Sequence, residues 1–205
     1  MTTIYLISNN CFLTDNIIYK DYIDLDEKRK NRPLSVNGEK VALTITKNKK
    51  VQNVESIYSS SFLSAINSAK YLTEKLNLDL IIDKRLDDRV VGDLQNQNLN
   101  LRTLQEHDFD YRLPGGESLN EVKSRMTEIV KEILNNHKDS SIALYTHNIS
   151  IISLLSIWCE KGFNYDEKLI LNYDEEVIID GLKNDYNLVE MTFDDEKLEC
   201  IKKIV

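Results

Sequence analysis

The chain is poor in the two residues that most often interrupt regular structure, with only two prolines and six glycines among 205 residues. This composition excludes Pro- or Gly-rich linkers and low-complexity segments, and we find no internal repeat. Hydrophobic residues make up 41% and charged residues 29% of the chain, as in an ordinary globular protein. We therefore predict one domain spanning residues 1–205, long enough to bury a substantial core.

Long apolar runs are also missing. The most apolar segment, residues 149–158 (ISIISLLSIW), is far too short to span a bilayer and is predicted to be a core helix. No basic segment followed by an apolar stretch marks the first residues as a secretion signal. Cysteine is scarce, since Cys11, Cys159 and Cys200 are widely spaced and odd in number. This pattern favours reduced thiols, and hence a cytoplasmic protein, over a disulfide framework or a metal site.

Basic residues are fewer than acidic ones: the chain has 26 Lys and Arg and 34 Asp and Glu, which gives a net charge of −8. A nucleic-acid-binding protein needs a basic face for the phosphate backbone, and anionic membranes attract basic clusters. We therefore expect neither nucleic acid nor a membrane as a partner. We also expect no metal and no cofactor. A small polar ligand, a protein partner and a homodimer all remain open.

The hydrophobic pattern alternates between two periods. Short apolar runs predict strands at residues 4–8, 56–59, 79–82 and 141–146. Between them, apolar residues recur at helical spacing, and a Ser118-x-x-Glu121 capping box marks the start of one helix. Strands that alternate with helices predict an α/β fold, here a three-layer α/β/α sandwich with a mainly parallel sheet.

The last third of the chain has a different pattern. Residues 186–193 and 197–205 flank a turn at Asp194-Asp195-Glu196, which predicts an antiparallel hairpin on the sheet edge. Residues 95–113 are polar and weakly patterned, so we expect an excursion over the strand ends that could act as a lid.

Four segments in order carry a family resemblance: PLSVNGEKVA (33–42), IYSSSFLSAINSA (57–69), GGESLNEVKSR (115–125) and IALYTHNISIISLL (142–155). They resemble motifs of the histidine phosphatase superfamily, which has the phosphoglycerate-mutase-like fold. The family's counterparts read roughly P-L-x-x-x-G-x-x-Q-A, S-S-x-L-x-R-A-x-x-T-A, G-E-S before a helix with Arg, and a strand ending in S-H-G. The opening IYLISNN then aligns with the family's L-I-R-H-G. The resemblance covers about residues 1–160 and fades over 161–205, and its specificity lies in the order and spacing of the motifs.

The resemblance implies a particular chemistry. In the family, the histidine of R-H-G attacks phosphorus, two arginines and a second histidine hold the phosphate, and a carboxylic acid protonates the leaving oxygen. The nucleophile needs an unprotonated ring nitrogen, the clamp needs planar cationic donors, and the acid needs a proton to give at neutral pH. A phosphatase or phosphomutase is the activity expected of an intact member.

This chain departs from the family at the residues that carry that chemistry. Ser8 stands at the first arginine, Asn9 at the nucleophile, Asn10 at the glycine and Ser64 at the second arginine. An amide nitrogen has no basic lone pair, because resonance delocalises it into the carbonyl. Asn9 therefore cannot form a phosphoenzyme, and losing a nucleophile typically costs roughly 10⁴- to 10⁶-fold in rate. The resemblance thus implies an uncharged, amide-lined floor where the family has a phosphate cradle.

Other positions are retained or lie nearby. His147 matches the second histidine, and Asp88 lies at or near the acid. Ser60 is in place, Asn148 follows His147, and Asn16 matches a phosphate-contacting asparagine with a spacing one residue longer. The predicted pocket set is therefore Ser8, Asn9, Asn10, Asn16, Ser60, Ser64, Asp88, His147 and Asn148. His147 could equally be a hydrogen-bonded structural residue, and Asp88 could bond loop amides or pair with Arg89.

Three hypotheses for function follow. The first is a catalytically inactive family member that keeps its pocket for a ligand other than phosphate or for an interaction. The second is a phosphomonoesterase or mutase that works by a different route through His147 and Asp88, with cations from Arg89, Arg112 or a metal. The third is a scaffold or interaction subunit with a vestigial pocket.

Overall fold

The computed structural model describes residues 1–13, 25–93, 100–181 and 186–205. The strands within these ranges are β1 (Thr2–Asn9), β2 (Ser56–Ser59), β3 (Leu80–Ile82), β4 (Ser141–Thr146), β5 (Glu160–Phe163), β6 (Leu169–Tyr173), β7 (Glu176–Asp180), β8 (Tyr186–Asp194) and β9 (Lys197–Lys203). The α-helices are α1 (Leu25–Lys30), α2 (Val36–Lys47), α3 (Leu63–Leu76), α4 (Leu101–His107), α5 (Leu119–Asn136) and α6 (Asn148–Leu155).

The main sheet has the strand order β3-β2-β4-β1-β8-β9. Strands β3, β2, β4 and β1 are parallel, whereas β8 runs antiparallel to β1 and β9 antiparallel to β8. The predicted strands and the C-terminal hairpin are therefore confirmed, as is the mainly parallel sheet with an antiparallel edge.

Alternation along β1 shows how the sheet is covered on both faces. Ile4 and Leu6 pack into the core that contains residues of α5 and α6, whereas Tyr5 and Ile7 pack into the core with residues of α2 and α3. Successive strand side chains point to opposite faces, so a strand buried on both sides needs a continuous apolar run. These two cores give the predicted three-layer α/β/α sandwich.

Helix starts follow the local sequence. Ser118 is the N-cap of α5, with its Oγ accepting from the Glu121 N–H at 3.1 Å. Glu121 Oε2 accepts in turn from the Ser118 N–H at 2.8 Å, which completes the predicted capping box. The apolar residues of α5, spaced at helical intervals, are buried against α6, so this helix is fixed both by its cap and by its face.

A small antiparallel sheet, β5-β6-β7, was not predicted from the sequence. It is joined to α4 through Glu106, a carboxylate only 2% exposed that accepts from the Leu169 N–H at 3.3 Å and pairs with Arg102. Helix α4 lies within the segment 95–113 that was expected to cover the strand ends. Residues 95–99 of that segment lie outside the described residues.

No helix in the described part of the chain is both long enough and apolar enough to cross a membrane. The segment 149–158 instead contributes α6, which is buried along its whole length, as the sequence predicted.

Candidate functional site

The end of β1 presents its polar residues to two different faces of the sheet. Asn9 shares the orientation of Tyr5 and Ile7 and therefore faces α2 and α3, whereas Ser8 faces α6. Ser8 and Asn9, which the resemblance aligns with the family's Arg-His pair, consequently belong to two separate hydrogen-bond networks.

Asn9 uses both ends of its amide within the protein. Its Nδ2 donates to the backbone carbonyl of Gly38 at 2.9 Å and to Ser68 Oγ at 3.3 Å. Its Oδ1 accepts from the Cys11 N–H at 3.2 Å. Asn9 therefore links the end of β1 to α2 and α3.

Ser8 belongs to a buried cluster with Asn148 and Asn187, and all three side chains are at least nine-tenths buried. Ser8 Oγ donates to Asn148 Oδ1, which also accepts from Asn187 Nδ2 at 2.7 Å. Asn148 Nδ2 has no hydrogen-bond partner among the described residues. The cluster is uncharged, and it fills the corner between β1, β8 and the start of α6.

His147 lies directly after β4, at the N-cap of α6. Its Nε2 is 2.8 Å from Ser60 Oγ, and its ring packs against Phe62 with the centroids 4.6 Å apart. Burial lowers the pKa of His147 below its usual 6.5 and outweighs the opposing effect of the Asp88 charge. The imidazole is therefore neutral at pH 7.

Asp88 forms an ion pair with Arg29, from α1, rather than with its sequence neighbour Arg89. Arg29 also bonds Asp26 Oδ1 and the Arg89 carbonyl oxygen, both at 2.9 Å. Burial would raise the pKa of Asp88, but the charges of Arg29 and Arg89 and the hydrogen bond from the Arg89 N–H outweigh it and hold the pKa below 3.8. Asp88 is consequently a carboxylate at neutral pH and has no proton to donate.

Next to Asp88 lies an open cleft of about 630 Å³, bordered by Phe62 and Val90. Its charged lining comprises the carboxylates Asp26, Glu27, Asp87, Asp88 and Glu117 and the cations Lys30, Lys84, Arg89 and Arg125. With five carboxylates and four cations, the lining is close to electrically balanced. A pocket that attracts a phosphate dianion would instead carry an excess of cations.

Among the described members of the pocket set predicted from the sequence, Asp88 alone lines the cleft. Ser60 and His147 contact each other but do not line the cleft, and Ser64 is buried in the first turn of α3. Asn10 is half-buried directly after β1. Asn16 lies outside the described residues.

Arg125, in the cleft, and Arg112, outside it, are both already bonded to other protein groups. Arg125 makes a two-point ion pair with Glu117, at 2.9 and 3.0 Å, and donates to the carbonyl oxygens of Arg85 and Asp87. Arg112 borders a separate surface depression, where it pairs with Glu121. Among the described residues, no group of three or more His, Cys, Asp or Glu side chains could hold a metal ion.

Sequence reasoning missed Arg29, which pairs with Asp88, and Asp26, which pairs with Arg29. Both lie in α1, a six-residue helix with no buried residue, so no apolar pattern drew attention to it. The only sequence signal was an Asp followed three residues later by an Arg, which is common on exposed helices.

Solved structures of similar fold cover almost the whole chain. A mycobacterial glucosyl-3-phosphoglycerate phosphatase complexed with VO3 aligns with a TM-score of 0.68 at 18% identity, covering 99% of this chain and 97% of that one. YhfR of Bacillus stearothermophilus aligns with a TM-score of 0.69 at 16% identity, covering 97% and 95%. At these identities the similarity establishes the fold alone.

Sequence comparison identifies curated relatives as well. A protein of Escherichia fergusonii named "Probable phosphoglycerate mutase GpmB" is 26% identical over 133 residues, which are 60% of this chain and 62% of that relative. The match thus spans less than two thirds of the relative's length.

A family model described as histidine phosphatase superfamily (branch 1) matches residues 25–193. The match reaches beyond the region 1–160 in which motifs are visible by eye, and it begins after β1, the strand that carries Ser8 and Asn9. The chain therefore belongs to the histidine phosphatase superfamily.

Proposed function

We propose that this protein is a catalytically inactive member of the histidine phosphatase superfamily whose cleft binds a small ligand without a phosphate group. The observation that carries the proposal is the state of Asn9. Its amide stands at the position of the family's nucleophile, and both of its ends are hydrogen-bonded to Gly38, Ser68 and Cys11. A group with no basic lone pair, held by three protein partners, has no means of attacking phosphorus.

The phosphate clamp is missing as well. Ser8 and Ser64 stand where the family has arginines, and Ser8 is 1% exposed inside an uncharged cluster. Arg29 and Arg125, which lie near Asp88, are already engaged by carboxylates and carbonyl oxygens. Taking a phosphate dianion out of water without paired cations costs several kcal/mol, so the retained site suits a ligand of lower charge.

The two retained family positions support the same proposal. A clamp histidine contributes a positive charge, but burial keeps His147 neutral at pH 7. A general acid needs a proton, but Asp88 is held as a carboxylate by Arg29.

The test is a turnover assay with p-nitrophenyl phosphate and 3-phosphoglycerate, using a family member with an intact R-H-G motif as the positive control. We expect the wild-type chain to release phosphate no faster than the buffer blank. The His147→Ala variant should give the same trace. Turnover by the wild type that His147→Ala abolishes would overturn the proposal in favour of an esterase acting through His147 and Asp88.

A further inference from the structure

A second hollow lies against the small sheet β5-β6-β7, apart from the cleft beside Asp88. It has a volume of about 890 Å³ and is lined by Trp158, Glu160, Asn172, Tyr173, Asp174 and Glu175. These residues do not border the cleft. The hollow is therefore a separate candidate binding site, and its lining combines two aromatic rings, one amide and three carboxylates.

The two aromatic rings are held in place by the protein core. Trp158 packs edge-to-face against Phe193 of β8, with the ring centroids 6.0 Å apart. Trp158 and Tyr173 are both partly buried against the core that contains residues of α5 and α6. Aromatic side chains offer apolar contact area and also attract ammonium groups. The rings therefore favour an organic cation over a hydrated inorganic ion.

The charges of the lining are all of one sign. Glu160, Asp174 and Glu175 are exposed, and the lining has no Lys, Arg or His. Within the described part of the chain, none of these three carboxylates has an ion-pair partner. The cleft beside Asp88 differs, because its five carboxylates are accompanied by four cations. The hollow thus attracts positive charge that its own lining does not supply.

The carboxylates are spread around the hollow and do not converge on one point. Glu160 on β5 lies opposite Asn172 on β6, and Asp174 follows two residues later, about 7 Å further at strand spacing. Among the described residues, no group of three or more His, Cys, Asp or Glu side chains could hold a metal ion. A single metal ion would leave part of the charge unmatched, whereas a chain of ammonium groups can reach each carboxylate.

Turn chemistry does not account for the acidic pair at residues 174 and 175. Asp174 and Glu175 form the two-residue turn between β6 and β7, with φ angles of 50° and 65°. A turn of this kind prefers Asn-Gly, because both positions need a positive φ. The double substitution Asp174→Asn/Glu175→Gly therefore removes both charges without weakening the turn.

We propose that this hollow binds a linear aliphatic polyamine. Its ammonium groups would pair with Glu160, Asp174 and Glu175, and its methylene segments would lie against Trp158 and Tyr173. A polyamine with three ammonium groups matches the three negative charges of the lining. The inference is independent of the proposed function of the cleft, since the two sites share no lining residue.

Trp158 is the only tryptophan of the chain, so its fluorescence reports on the hollow directly. Spermidine, putrescine and MgCl2 would each be titrated into the full chain at pH 7 and an ionic strength of about 0.15 M. Fluorescence and isothermal titration would both be recorded. We expect spermidine to give a saturable fluorescence change with a matching heat signal. Putrescine, with two ammonium groups, should bind several-fold more weakly, and MgCl2 should have no saturable effect.

Variants assign binding to the turn carboxylates. Asp174→Asn/Glu175→Gly should weaken spermidine binding by about tenfold, as expected for the loss of two surface ion pairs. Its unfolding temperature should be unchanged or higher, because Asn-Gly suits the turn. The matched control is Asp166→Asn/Glu167→Gly, the same change in the turn between β5 and β6, where Glu167 also has a positive φ of 56°. It should alter affinity less than twofold, because neither residue lines the hollow.

Glu160→Gln tests the site without changing a turn, and it should weaken spermidine binding several-fold. If the double variant at residues 174 and 175 fails to fold, Glu160→Gln alone decides. A wild-type chain without a saturable response to spermidine, or with an equal response to MgCl2, would overturn the inference. Equal losses in the two turn variants, or wild-type affinity in Glu160→Gln, would overturn it as well. None of these results bears on phosphate release, which is measured separately.

Discussion

The Asn9 side-chain amide donates to the Gly38 carbonyl oxygen at 2.9 Å, which ties the end of β1 to the first turn of α2. Gly38 can approach this closely only because it lacks a side chain. A Cβ at this position would lie 2.0 Å from the Cys11 carbonyl oxygen. The same carbonyl accepts from Ser35, the N-cap of α2, so the contact is fixed from both sides.

Gly38→Ala should therefore destabilise the protein. Alanine is a better helix former than glycine by about 1 kcal/mol, but the clash with the Cys11 carbonyl should dominate and cost about 1–3 kcal/mol net. Urea unfolding would measure the change. Val36→Ala is the control, since Val36 lies in the same helix and is 75% exposed, and should change stability by about 0.5 kcal/mol at most. Equal stability of Gly38→Ala and the wild type would show that α2 can move away from Cys11.

The single substitution Ser8→Arg, which introduces the family's first arginine, should destabilise the protein. Ser8 is 1% exposed against Asn148 and Asn187, so Ser8→Arg would crowd the cluster with a buried charge and cost roughly 3 kcal/mol or more. The resemblance aligns Asn148 with the glycine of the family's S-H-G motif, and Asn148→Gly would open space beside Ser8.

The double variant Ser8→Arg/Asn148→Gly should consequently be less destabilised than the sum of the single variants, by about 0.5–3 kcal/mol. A double-mutant cycle in urea measures this coupling. Strictly additive effects would show that the arginine side chain does not occupy the space vacated by the Asn148 side chain.

The Asp88–Arg29 ion pair should make stability depend on pH. Because the folded-state pKa of Asp88 is lowered, its contribution is present above the unfolded-state pKa of about 3.8 and is lost as the pH falls through the folded-state value. Asp88→Asn should therefore cost about 1–3 kcal/mol at pH 7, with the difference from wild type shrinking below pH 3.8. Glu176→Gln, at an exposed position in β7, is the control and should change stability at pH 7 by about 0.5 kcal/mol at most. A difference that is constant from pH 7 to pH 3 would contradict the prediction.

His147 should titrate below the ordinary histidine range. Its folded-state pKa is lowered by burial, so the unfolded chain binds the proton more readily and stability falls as the pH drops below 6.5. Carbon-detected NMR titration of the three histidines, with His147→Gln used to assign the signal, would measure the pKa directly. A midpoint at or above 6.5 would mean that the imidazole is solvated or paired more strongly with Asp88 than the structure indicates.

Much of the fold was predictable because its strands are buried on both faces. The runs at 4–8 and 141–146 are apolar at every position that packs into a core, and the Ser118 capping box marks α5 by residue type alone. The sheet β5-β6-β7 carried no such signal. Glu160–Phe163 is largely exposed, and its partners are set by long-range pairing that no local pattern encodes.

The sequence could place site residues along a strand or helix, but it could not show which residues meet in the folded protein. Ser8 and Asn9 could be placed at the end of a strand, but their assignment to opposite faces needed the register of β1 against β4 and β8. The Arg29–Asp88 pair joins residues 59 positions apart. Sequence alone offered no reason to choose Arg29 over Arg89, the residue next to Asp88, as the partner of that carboxylate.

Enzymes commonly give up stability to keep reactive groups poised and incompletely bonded. Under the proposed function, Asn9 stands at the nucleophile position and instead links β1 to α2 and α3, through hydrogen bonds to Gly38, Ser68 and the Cys11 N–H. Selection on this corner would then act on how firmly it holds and no longer on how fast it reacts. The substitution Asn9→His would remove hydrogen bonds to Gly38 and Ser68, and we expect it to lower stability without restoring phosphate transfer.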